Sequence, residues 1–89
     1  MTAHVTLDLI ETTAKAIDAL LTAIDGAPAI GAVTAYRAAI TRHGRQLVAS
    51  IGPSALDAVL DRIKAEAPDK AARQDRERIV ALAWEGLAA

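Results

Sequence analysis

His43 and Ser50 stand seven residues apart, near one face of any helix that holds both, yet about two turns distant. That is too far for an imidazole base to touch a hydroxyl nucleophile. Asp57 and Asp61, at a four-residue step, make a pair of carboxylates; beside Arg62 and Lys64 they read as exposed, solvated acids. Two histidines, His4 and His43, and no cysteine supply no cluster of metal ligands, and neither an HExxH nor a CxxC spacing occurs. The five glycines are dispersed as breakers, so no glycine-rich phosphate loop exists. The sequence therefore assigns no catalytic, cofactor-binding or metal-ligating residue, and the chain is expected not to be an enzyme.

What is left is charge. Residues 1–25 carry Lys15 against Asp8, Glu11, Asp18 and Asp25, whereas residues 26–52 carry Arg37, Arg42 and Arg45 and no acid. In the stretch RHGR, residues 42–45, those arginines cluster with His43 around a glycine that would let another backbone or a phosphate approach; the alternative is that they pair with the acids of residues 1–25. A second charged stretch, DKAARQDRER at 69–78, has no apolar side chain larger than alanine and runs straight into IVALAWEGL. Its Asp69 and Arg73, Arg73 and Glu77, and Asp75 and Arg78 are spaced to stabilise a helix that has no core to lean on. This half is expected to project or lie open, with Arg73, Arg76 and Arg78 on a mixed-charge stripe suited to protein recognition. Trp84, the single tryptophan, falls in phase with Val80 and Leu87, which points to the core, although its place near the end of the chain also suits a binding anchor.

The elements that must hold these groups are helices. Ile10, Ala14, Ile17, Leu21 and Ile24 recur at three- and four-residue steps, with Glu11, Lys15, Asp18, Thr22 and Asp25 opposite. Thr2 or Thr6 can cap this helix, and Asp25-Gly26 before Pro28 ends it, giving helix 1 over about 6–25. Pro28 suits the first turn of helix 2, over about 28–51, with Ile30, Val33, Tyr36, Ile40, Leu47, Val48 and Ile51 as its apolar positions. His43-Gly44 is a weak point within it, but Ile40 and Leu47 keep a seven-residue phase, so the helix is expected to continue. Gly52-Pro53 stops it, and Ser54 with Asp57 resembles a capping box at the start of helix 3, over about 54–66, with Leu56, Val59, Leu60 and Ile63 inward. Pro68 closes helix 3, and Asp69 can cap helix 4, over about 69–87.

No longer alternating strand pattern competes, so the fold class is all-α: one domain over residues 1–89, either a compact four-helix bundle or an orthogonal packing of four helices. At this length the core is thin, which makes a homo-oligomer an option. Alanine supplies 22 of the hydrophobic residues and phenylalanine none, so the helices must approach closely. The composition, 53% hydrophobic and 24% charged, excludes a disordered tail, and no apolar run is long enough to span a membrane. With no cysteine and no secretory signal pattern in MTAHVTLDLIE, a cytoplasmic location is the default.

Two functional readings follow. The first is a non-enzymatic helical module that binds and regulates or inhibits a larger protein, with Arg37, Arg42, Arg45, Arg73, Arg76, Arg78 and Trp84 as candidate contacts. Compact inhibitors and adaptors carried by phages and mobile elements, anti-CRISPR proteins included, share this size and class, an analogy with no motif behind it. The second is a dimer that binds nucleic acid through Arg37, Arg42 and Arg45; about three phosphate contacts per chain give little affinity at physiological salt. A helix-turn-helix over residues 42–66 is rejected, because Asp57 and Asp61 would face phosphates.

Overall fold

The computed structural model describes residues 2–26 and 29–87, with the side chains of 7–26 and 29–87. The chain is an all-α four-helix bundle: α1 (Thr2–Asp25), α2 (Ile30–Ser50), α3 (Ser54–Ala65) and α4 (Lys70–Ala83). No strand occurs among the described residues. Here α1 packs on α2 and α3, and α4 packs on the same two helices from the other side.

Each helix sends its periodic apolar residues to one centre. Ile17 and Leu21 of α1, Ile40 and Leu47 of α2, Val59 and Ile63 of α3, and Val80 of α4 are all fully buried. Burying a side chain of this kind stabilises the fold by about 1.5–3 kcal/mol, so seven of them carry most of what so short a chain can gather. Small residues fill the rest: Ala14, Ala55 and Gly44 are buried where larger side chains would hold the helices apart. The seven-residue phase from Ile40 to Leu47 does carry α2 through His43-Gly44 without a break.

Helix ends differ from expectation in ways local hydrogen bonding explains. Helix α1 begins at Thr2, a turn earlier than read, while its proposed threonine caps, and Pro28, lie outside the described side chains. Gly52 ends α2 as expected, with a left-handed φ of 118°; there the amides of Ile51 and Gly52 both donate to Leu47 O. Ser54 is no cap. The first amides of α3 are taken by backbone, Ala55 N donating to Gly52 O and Leu56 N to Pro53 O, so the capping box with Asp57 has no role. Asp69 does cap α4, accepting from Ala72 N at 2.8 Å. That helix stops at Ala83 rather than near 87: the chain turns, Leu87 N donating to Trp84 O, with Gly86 at a φ of 85°.

The charged half of α4 lies open, its residues 69–78 exposed or half-buried, but it is tied to its neighbours rather than projecting. Arg76 reaches across the bundle to Asp18 of α1, and Lys64 of α3 lies 3.5 Å from Glu77. Of the three charge pairs read within residues 69–78, the one between Asp75 and Arg78 forms. Asp69 is spent on its cap and Glu77 on Lys64, which leaves Arg73 exposed.

Candidate functional site

Helices α2 and α4 run side by side in the same direction, and the contact between them begins at a glycine. A Cβ built on Gly44 would stand 2.6 Å from Trp84 Cδ1 and 2.8 Å from Leu87 Cδ1, and against the indole nitrogen as well. The space at Gly44 read as an approach for a phosphate or a foreign backbone is thus filled by the chain's own tryptophan. Trp84 is buried, and its Nε1 donates to Ile40 O at 2.8 Å, so it is a core residue and no surface anchor. One turn towards the start of α2, Thr41 Oγ1 donates to Ala83 O at 2.8 Å. That carbonyl is in the last turn of α4 and has no helical partner to accept from, so the threonine satisfies it from across the interface.

Beside this contact lies a groove of about 230 Å³ lined by Arg37, Arg78, Ile79, Leu82 and Ala83. Ile79 is buried at its floor, and Leu82 stands at its edge 64% exposed. Arg37 and Arg78 add two cationic side chains to the lining of this apolar strip. Arg78 is tied to Asp75 on its own helix, whereas Arg37 has no acid partner among the described residues. Among the described residues the α2 arginines do not pair with α1 acids: Glu11 pairs with Arg62 and Asp18 with Arg76. Arg42 and Arg45 are exposed further along α2. Ile30, read as an inward position, is 87% exposed, because the seven-residue step to Arg37 places it on the outer face.

Two further depressions lie among the described residues. One, of about 140 Å³, lies between α1 and α3 with Glu11, Lys15, Asp18, Arg62 and Glu66 at its rim, three of which already serve the ion pairs that hold the helices together. The other, of about 240 Å³, lies beside Leu56, Leu60 and Ala81, with Asp57 as its one charged lining residue. Among the described residues no group of three His, Asp or Glu side chains converges as a metal site would need. No described helix is long and apolar enough to cross a membrane.

Of the residues singled out from sequence, the structure brings Arg37 and Arg78 together, leaves Arg42, Arg45 and Arg73 on open surface, and turns Arg76 and Trp84 inward. Sequence reading missed Leu82 and Ile79. Leu82 follows Val80 by two residues, about 200° around the helix, so its exposure could have been found from the same phase that buries Val80 and Trp84. Compared with protein-family models, curated proteins and solved structures, the chain matches none.

Proposed function

We propose that this chain is a non-enzymatic interaction module that binds a larger protein and regulates or inhibits it through the face where α2 meets α4. One observation carries the reading: an apolar groove with the exposed Leu82 in its lining is also lined by two arginines, Arg37 and Arg78. A lone surface leucine needs no explanation. An apolar strip lined by two arginines has an apolar centre with polar edges, as interfaces do, and arginine is among the residues that most often carry binding energy there. A cytoplasmic setting agrees with the lack of cysteine.

Affinity capture from the native cell tests this, with wild type, the double variant R37E/R78E and, as a surface control, R73E. The proposal expects one protein retained by wild type and R73E and lost by the double variant. Retention of that protein by the double variant would contradict it.

A second reading, a dimer that binds nucleic acid, draws support from the exposed Arg37, Arg42 and Arg45 on a helix free of acids. Retention of the wild type on mixed-sequence duplex DNA at about 50 mM salt, where counterion release favours binding most, would promote it above the first.

A further inference from the structure

From the α2/α4 groove we infer the chemistry of the partner: an acidic amphipathic segment that seats one large apolar side chain over Ile79 and Ala83, beside Leu82, and sets carboxylates against Arg37 and Arg78. This deepens the interaction reading and rests on it. Size comes first. At about 230 Å³ the groove is smaller than the roughly 300–1,000 Å³ of small-molecule sites, and it accommodates a side chain better than a metabolite.

Charge then selects the sign. Every charged residue lining the groove is basic, and residues 26–52 contain no acid, so covering Arg37 with an uncharged segment would strip its guanidinium of water with nothing in return. A carboxylate from the partner meets that need with a charge-assisted hydrogen bond, which two-pronged arginine makes well. At Arg78 the incoming carboxylate joins or replaces Asp75, already on the same guanidinium. Geometry adds length: Ile30, exposed seven residues before Arg37 on the same face of α2, extends the apolar and basic stripe by about 10 Å. That is the reach of an amphipathic helix laid in a groove.

A second copy of the chain is a poorer occupant. Its acids Glu11, Asp18, Asp75 and Glu77 are engaged by Arg62, Arg76, Arg78 and Lys64, and Asp69 is a helix cap; Asp57 and Asp61 on α3 stay exposed, and light scattering reads whether they bring a second copy to the groove. Duplex DNA would gain the arginines but would press a phosphate backbone on Leu82 and Ile79.

The test is fluorescence anisotropy with a short labelled peptide in which leucines repeat at helical spacing among glutamates. The same peptide with every Glu replaced by Gln, mixed-sequence duplex DNA, and light scattering of the protein alone run beside it. We expect the acidic peptide to bind wild type, to weaken as salt rises, and to lose about tenfold or more in affinity with the Gln peptide, with L82D and with R37E, the effect of losing an interface anchor. Circular dichroism of L82D and R37E, both substitutions at exposed positions, reads folding independently of binding. Peptide affinity unchanged by L82D and R37E, no peptide binding up to about 1 mM, tighter binding to DNA, or self-association abolished by L82D would each overturn the inference. If the peptide fails while cellular capture still yields a protein dependent on Arg37 and Arg78, the partner chemistry is wrong and the interaction reading survives. If both fail, both fall.

Discussion

The indole of Trp84 occupies the place where a side chain on Gly44 would be, and its nitrogen donates to the carbonyl of Ile40 one turn earlier on α2. The pair sets the distance between α2 and α4 and thereby the floor of the groove above them. In a helix interior alanine is favoured over glycine by about 1 kcal/mol, so propensity alone would make Gly44→Ala stabilising. Here the new methyl meets a buried ring that cannot swing away, and overpacking of this kind costs about 1–3 kcal/mol. Gly44→Ala is expected to lower stability in urea unfolding, and to do so far less in a Trp84→Leu background. A gain in stability from Gly44→Ala alone would contradict the contact.

Thr41 offers a second test of the same interface. Its hydroxyl satisfies Ala83 O across 42 positions of sequence, and valine keeps the shape while removing the donor. Thr41→Val should cost about 1–3 kcal/mol, since a partly buried carbonyl loses its partner, and Thr41→Ser should restore much of it. Thermal unfolding of the three proteins decides.

The pair of Arg76 and Asp18 should respond unequally to its two removals. Arg76 has a side chain 11% exposed, with Nε buried and without a hydrogen-bond partner, while Asp18 is 40% exposed. Asp18→Asn strands a buried charge and is expected to cost about 1–3 kcal/mol. Arg76→Met replaces the buried guanidinium with an apolar chain, leaves Asp18 to water, and should be neutral or stabilising. Chemical denaturation of both variants checks the asymmetry, and equal losses would refute it. Arg76 is for the same reason unsuited to charge reversal as a probe of partner binding, whereas Arg73 is not.

Much of the fold was legible because a 3.6-residue period is a property of the letters. The stripe through Ile10, Ile17 and Leu21, the continuity from Ile40 to Leu47 and the cap at Asp69 all follow from spacing and side-chain chemistry. Contacts between helices did not follow. Whether Gly44 opens to solvent or receives an indole depends on which helix lies beside α2, and single-helix periodicity carries no information about neighbours. The arginines show the same limit: Arg76 and Arg78 look alike in sequence, yet α1 places an acid within reach of only the first. Ser54 failed as a cap because Gly52 and Pro53 turn the backbone tightly enough to accept the first amides themselves.

Surface charge reversal on the groove should be silent in stability. Arg37 is exposed and Arg78 is 67% exposed, so R37E/R78E is expected to unfold within about 0.5 kcal/mol of wild type. A loss of several kcal/mol would mean that these arginines hold the bundle together rather than present it to a partner.

The claim that the α2/α4 face is the working surface is tested most directly by a photo-crosslinking amino acid placed at position 82, at the groove, or at position 15, on exposed surface of α1. Irradiation in the native cell is predicted to give a discrete protein adduct from position 82, lost on Arg37→Glu, and none from position 15. Adducts from position 15 with none from 82, or nucleic acid joined to position 82 in place of protein, would contradict the account.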